Sequence, residues 1–366
     1  MESEVATMNY VAAKTSIPVA RVLYLNLQTD HPLGVHMLLE KVPGVKLSTI
    51  FPDLTGFEQD LLVGQIARWT IELFRHRFDA IGSLYSSQTD EFHVGPIVRP
   101  SFYVDGRDKL MLDRGPFSTT REYFIACAQR EIDSARTQSA QDTSDKYQRD
   151  VEDARFTVER SMVLLLNAIQ GCRGLDDEDP ELSPFSLSLT DLDLSKIYVS
   201  ATDSTHIVSL PVWYAVSTRP LWHCASLPSW LTTTLSEEGG IDKSRLEKMF
   251  RKVVQEIEGP DGLFLRTLDL EDTRRAIDDV CEYDAFKDGF LILPTLESIV
   301  ATLPGEEDVA GLQALLDPNT LEGRAARIAL LTRGTGTLSL ATRGEIPFER
   351  GERPMVQHLG SGLVMV

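Results

Sequence analysis

Clustered positive charge is the first thing this 366-residue chain lacks. Its 36 Lys and Arg are outnumbered by 55 Asp and Glu, the formal charge is −19, and no segment carries a basic stripe. Nucleic acid and anionic membrane both require grouped Lys and Arg, so neither is expected as a partner. Cysteine is scarce as well. Cys127, Cys172, Cys224 and Cys281 lie far apart with no Cys-x-x-Cys spacing, which argues against structural zinc and a disulfide framework and for buried thiols. No run approaches the ~18 apolar residues of a membrane span. Met1-Glu2-Ser3-Glu4 has neither the basic-plus-apolar layout of a secretory signal nor the Arg-rich, acid-poor layout of a transit peptide. These absences lead to the expectation of a soluble, cytoplasmic protein. What is present is ordinary globular composition, 42% hydrophobic and 25% charged, enough to bury a sizeable core in one large domain or two smaller ones.

Along the chain, Val5 to Val11 has apolar residues at helical spacing, and Ile17-Pro18 stops that helix because a residue before proline avoids the helical region. Val19 to Leu25 reads as a strand. Pro32-Leu33-Gly34 is a turn, and His36 to Val42 is a second strand running into Pro43-Gly44. Two strands rarely stand alone in water, so this ribbon must lean on something. Thr55 and Glu58 form a capping-box pair ahead of Leu62, Ile66, Trp69 and Leu73, which share one helical face. Residues 83–116 read as loop, Thr119 and Glu122 open another helix, and residues 129–155 read as an exposed helix or mobile loop. Phe156 to Ile169 is an apolar helix, and Asp176-Asp177-Glu178-Asp179 is a solvated loop. Two short strands follow, over Leu187–Val199 and Ile207–Trp213, and helix again to about residue 300. The last 30 residues show no period.

Several strings, taken in order, resemble the fungal aminoglycoside-phosphotransferase-like family, a group with the protein-kinase-like fold. They are Ser3-Glu4-Val5-Ala6-Thr7-Met8, Ile17-Pro18-Val19-Ala20-Arg21, Glu40-Lys41-Val42-Pro43-Gly44, Arg77-Phe78-Asp79-Ala80-Ile81-Gly82-Ser83-Leu84-Tyr85, Gly95-Pro96-Ile97-Val98, Asp113-Arg114-Gly115-Pro116-Phe117 and Leu227-Pro228-Ser229-Trp230. The resemblance covers roughly residues 1–300 and is nearest a subgroup around the altered-inheritance-of-mitochondria protein 9. It implies an α+β, kinase-like fold with a truncated N-lobe and a mainly helical C-lobe. The expected domains are residues 1–45 (residual N-lobe with hinge), 46–300 (helical C-lobe) and an unassigned 301–366. A mitochondrial association is implied by the resemblance alone.

The resemblance also implies where a phosphoryl-transfer site would lie. Glu40, Lys41 and Val42 occupy the hinge, whose backbone holds adenine in the family. Glu4 occupies the helix position that pairs with a strand lysine, but that lysine and the glycine-rich loop would precede it. Asp191, in Leu189-Thr190-Asp191-Leu192-Asp193-Leu194-Ser195-Lys196, stands where the family has its base. Leu189 replaces the His that would orient it, and Lys196 replaces a metal-holding Asn. Val212, before Trp213, replaces the second metal ligand, and valine cannot ligate magnesium, which takes hard oxygen donors. A sequence cut short of the glycine-rich loop would not account for Leu189, Lys196 and Val212.

These losses are coupled by charge. Without metal ligands, nothing screens a triphosphate from Asp191 and Asp193, and two unit charges ~4 Å apart repel by ~4 kcal/mol at a surface-like dielectric. The Lys196 ammonium is a partial charge substitute, one positive charge in place of two. Asp193, His206 and His223 read as ordinary polar residues, and Gly334-Thr335-Gly336 as a plain turn rather than a phosphate loop. The expectation is a catalytically inactive, kinase-like binding or scaffold module with no metal or cofactor. Its partners would be a protein at the exposed N-lobe sheet edge or a small molecule in the interlobe cleft. The alternative is an ATP- and magnesium-dependent O-phosphotransferase with Asp191 as base.

Overall fold

A computed structural model describes residues 1–87, 91–137, 145–172, 175–176, 181–182, 184–189, 192–232, 241–269, 273–285, 292, 294–296, 298–299, 319–320, 357–359 and 363–365. In chain order these form α1 (Glu2–Lys14), β1 (Val22–Asn26), β2 (His36–Glu40), β3 (Val45–Lys46) and α2 (Gly56–Phe74). Then come β4 (Ser83–Ser86), β5 (Phe92–Gly95), α3 (Thr120–Thr137), α4 (Asp145–Gly171), β6 (Phe185–Leu187), β7 (Tyr198–Val199), β8 (Ile207–Ser209) and β9 (Thr218–Pro220). The rest are α5 (Leu221–Cys224), α6 (Ser229–Thr232), α7 (Lys243–Glu258), α8 (Leu263–Leu268), α9 (Thr273–Glu282), β10 (Gln357–Leu359) and β11 (Leu363–Met365). The class is α+β, and the first helix, ribbon and helices come in the expected order. The strand expected over Leu187–Val199 is instead the end of β6, a 3-10 turn at Leu194–Lys196 and the two-residue β7, and that expected over Ile207–Trp213 ends at Ser209 with β8.

The helix starts are local chemistry. Thr55 Oγ1 accepts the Glu58 N–H while the Glu58 carboxylate accepts the Thr55 N–H, so two orphan donors of α2 are satisfied reciprocally. The same exchange opens α3, where Glu122 binds the Ser118 and Thr119 N–H groups and donates its own to Thr119 Oγ1.

The chain forms two compact units drawn from non-contiguous stretches, which do not follow boundaries at residues 45 and 300. Unit 1 comprises residues 1–98, 181–270 and 352–366. One buried apolar cluster runs through it, taking Met8 and Val11 from α1, Met37 and Leu39 from β2, Leu62, Ile66 and Leu73 from α2, Val199 and Ile207 from β7 and β8, and Phe250 from α7. Phe74 of α2 meets Phe264 edge-on at 5.1 Å, and Phe51 meets Trp230 at 5.3 Å. Its largest sheet has the order β1-β2-β11-β10. β3 pairs with β7, which pairs with β8.

Unit 2, residues 99–180 and 271–351, is organised by ion pairs. The buried Glu131 carboxylate accepts both Oε contacts from Arg107 Nη2 (3.1 and 2.9 Å), a 2.7 Å bond from Arg130 Nε and a 2.9 Å bond from the Ala285 N–H. Arg107 reaches on to Asp284 at 3.1 Å, and Arg130 to the Cys281 carbonyl at 3.0 Å. Arg130 also lies over the Phe102 ring at 4.7 Å. A single carboxylate thus ties α3 to the segment around Arg107 and to the end of α9.

Four expectations need correction. Residues 83–116 are not all loop, because β4 and β5 form a hairpin with Ser83 opposite Gly95 and Ser86 opposite Phe92; strands of four residues carry too little alternation to be seen. Residues 129–137 form the helical end of α3, with Gln129, Arg136 and Thr137 exposed but the rest of that stretch largely covered. Arg130, Glu131, Ile132 and Ser134 are buried in α3, their charges neutralising one another. Asp176 is not a solvated loop residue, since it binds the Arg121 N–H (3.0 Å) and Nε (3.2 Å). Within the unassigned C-terminal stretch, β10 and β11 form a hairpin on β2. The four cysteines are free and buried, as expected.

Removing a buried partner leaves an uncompensated charge. Glu131→Ala, which strands two buried guanidiniums, is expected to lower stability by about 3–5 kcal/mol, read from urea unfolding; a loss below that of a surface substitution would refute the central role of this carboxylate.

Candidate functional site

All residues expected to handle nucleotide belong to unit 1. The loop after β8 is fixed at Leu210, whose N–H donates to the Pro18 carbonyl at 2.8 Å and whose own carbonyl accepts the Trp213 indole N–H at 2.7 Å. Trp213 is 1% exposed and anchors the loop, while its neighbours Val212 and Tyr214 are 48% and 60% exposed. Ala215 follows with φ at 58°, a left-handed conformation that side chains disfavour, and Val216 N–H returns to the Trp213 carbonyl at 3.4 Å. Val212, where the resemblance leads one to expect a metal-binding carboxylate, is thus an exposed valine on a tight turn.

Glu4 of α1 faces the same loop. Burial raises its carboxyl above the ordinary carboxylate value, opposed by the N-terminal ammonium and by a hydrogen bond from the Trp213 backbone N–H. Burial likewise raises Tyr214, with the Glu4 charge adding to it. The helix glutamate thus has a backbone partner in the loop that carries Val212. That pairing was not foreseen, because nothing in the sequence around Glu4 signals a backbone donor 200 residues away.

Asp191 and Thr190 lie outside the described residues, as does Gly334-Thr335-Gly336. On either side, Leu192 N–H donates to the Leu189 carbonyl at 3.3 Å. Leu192 is buried, and Leu189 and Leu194 pack against the apolar cluster. Asp193 caps the 3-10 turn Leu194–Lys196, its Oδ1 accepting the Ser195 N–H at 2.7 Å and its carbonyl accepting the Lys196 N–H at 2.9 Å. Its carboxylate serves the backbone of its own loop. Lys196 is half-buried within that turn.

The hinge residues are placed by strand pairing. Glu40 ends β2, its N–H donates to the Arg21 carbonyl at 2.8 Å, and its carboxylate lies 3.6 Å from the exposed Arg21 guanidinium. An exposed pair of that kind adds ~0–1 kcal/mol. Lys41 is exposed, and Val42 packs against the apolar cluster. Just beyond, Gly44 is pressed onto the strand pair: a Cβ there would sit 2.3 Å from the Val199 carbonyl oxygen. The structure therefore brings Gly44 against β7 and β8, Val42 against the apolar cluster, and Glu4 near the Trp213 backbone.

Among solved structures, the neighbours are aminoglycoside phosphotransferases. The chain is similar to the gentamicin complex of APH(2'')-IIa, with 12% identity, a TM-score of 0.39 and coverage of 84% of this chain and 82% of that one. It is also similar to the ADP-bound aminoglycoside phosphotransferase APH(2'')-Ib, with 12% identity, a TM-score of 0.40 and coverage of 82% and 81%. Two subtelomeric hrmA-associated cluster proteins, from two strains of Aspergillus fumigatus, are each 34% identical over 125 residues, 31% of this chain and 25% of theirs. The match thus spans about a quarter of the length of these curated relatives. No family model matches the chain. No helix among the described residues is long and apolar enough to cross a membrane.

Two outcomes follow from this geometry. Gly44→Ala must push the hinge off Val199 and is expected to cost about 1–3 kcal/mol, measured as a lowered unfolding midpoint. Glu4 titrates with a raised folded-state pKa, so its charged form weakens the fold above that pKa, and the penalty vanishes below the unfolded value of 4.5. Glu4→Gln keeps an acceptor for the Trp213 N–H. It should be more stable than the wild type at about pH 7.5, with the difference fading by about pH 4; an equal or lower melting temperature at the higher pH would contradict the burial of this carboxyl.

Proposed function

We propose that the chain is a kinase-like phosphotransferase-family protein without phosphoryl-transfer activity, a pseudokinase serving as a binding or scaffold module. The order of elements and the family strings support the kinase-like reading. Its placement near the altered-inheritance-of-mitochondria subgroup, with fungal origin and mitochondrial association, rests on those strings alone.

The observation that carries inactivity is the exposed Val212 in the loop that Trp213 and Leu210 hold rigid. Phosphoryl transfer needs a cation to neutralise charge developing on the phosphates and hard oxygens to hold that cation. Magnesium and ATP do not fit the residues present. Position 212 offers an isopropyl group, position 196 an ammonium and position 189 a leucine that packs against the core. The Asp193 carboxylate is engaged in capping its own turn.

A ligand present at about 100 times its dissociation constant adds ~2.7 kcal/mol to native stability. ATP with magnesium or manganese should therefore leave the melting temperature unchanged, and Asp191→Asn should leave any binding behaviour unchanged. A divalent-dependent rise with ATP, joined to a phosphorylated product that Asp191→Asn abolishes, would establish the enzyme with Asp191 as base instead.

A further inference from the structure

β2 is the strand on which the β1-β2-β11-β10 sheet turns. Met37 and Leu39 are buried in the apolar cluster, and Leu38 is half-buried. On one side β2 pairs antiparallel with β1, Leu38 opposite Tyr24 and His36 opposite Asn26. On the other it pairs antiparallel with β11, Leu363 opposite Glu40, Val364 opposite Leu39 and Met365 opposite Leu38. In an antiparallel ladder the N–H and C=O groups of successive residues point alternately to the two neighbours. Half of the β2 backbone groups at Leu38–Glu40 are therefore turned toward β11. Left unpaired beside a buried apolar face, those groups would cost free energy, and a two-stranded ribbon is marginal by itself.

The strand that satisfies them arrives from far along the chain. Residues 271–351 belong to unit 2, and only from residue 352 does the chain rejoin unit 1. Residues 321–356 could span on the order of 120 Å at about 3.3–3.6 Å each, so covalent connection does not hold β11 in register. Pairing does. The strand itself is Leu363-Val364-Met365, preceded by Gly360-Ser361-Gly362 and its hairpin mate Gln357-His358-Leu359.

We propose that the β2 edge over Leu38–Glu40 is a strand-acceptor site, and that the strand Leu363–Met365, with its mate Gln357–Leu359, is its occupant through backbone pairing, able to bind there without being covalently joined. Recognition is by strand addition: main-chain hydrogen bonds supply affinity, and register follows the alternation of the accepting strand. This reading is independent of whether the chain transfers phosphate.

Val364→Pro in the full-length protein tests it. β11 is paired on both sides, so a proline there removes a needed N–H and cannot be accommodated as on an edge strand. Hydrogen exchange, followed by mass spectrometry on the peptide spanning residues 36–42, should speed up by about tenfold, the factor that losing roughly one net hydrogen bond corresponds to. Val364→Thr, which keeps the N–H, should exchange like the wild type. Adding a synthetic peptide of residues 355–366 to Val364→Pro should restore the slow exchange in a saturable way. Unchanged exchange in Val364→Pro, or faster exchange that the peptide does not reverse, would overturn the proposal. If Val364→Pro does not fold, anisotropy of the labelled peptide against the wild-type full chain decides: saturable binding, competed by unlabelled peptide, supports the site, and no binding overturns it. A concentration-dependent dimer of the wild type that Val364→Pro abolishes would also support it, with the occupant coming from a second copy.

Discussion

Unit 1 is joined at Leu210. Its N–H goes to Pro18, ahead of β1, and its carbonyl takes the indole proton of Trp213. With both backbone groups used and its side chain in the core, Leu210 fixes the loop after β8 to the ribbon that follows α1. Glu4 of α1 faces the same loop, its carboxyl pKa raised by burial and lowered in part by the Trp213 backbone.

The loop that carries Asp191 shows the same preference for packing over charge. Leu189, Leu192 and Leu194 alternate toward the apolar cluster, while Asp193 turns back to cap the turn that contains Lys196. Burying one leucine contributes roughly 1.5–3 kcal/mol. A histidine at position 189 would have to find hydrogen-bond partners in that same environment or leave it. The described part of this loop is therefore held by its apolar packing and by the Asp193 cap.

Much of unit 1 was legible in the sequence because its signals are local. The Thr55–Glu58 box, the Ile17-Pro18 stop, the Pro32-Leu33-Gly34 turn and the Val212 and Leu189 replacements can each be read within a few residues. What escaped was non-local. Glu131 looks like a surface residue in a charged stretch, and only the arrival of Arg107 and the Ala285 N–H from elsewhere in the chain makes it a core residue. Asp176 sits in an acidic run whose solvated appearance hides Arg121, 55 residues away. β11 is three residues of apolar sequence beside glycines, and no periodicity can assign it to β2. Asp191 is legible only by its place in a string, since the described residues stop on either side of it.

Both units bury charge as well as apolar area: Arg219 is fully buried in unit 1. Unit 2 accepts two guanidiniums and a carboxylate in its interior, where the mutual attraction must offset the desolvation of each. That solution is specific, because Glu131 can face Arg107, Arg130 and the Ala285 N–H together in only one arrangement of α3 and α9. Elsewhere unit 1 relies on apolar area and on backbone groups paired to backbone groups, at the Leu210 N–H, between β3 and β7, and along β2. Backbone pairing is indifferent to side-chain identity, so the fold sets little requirement on the side chain at an exposed loop position such as Val212.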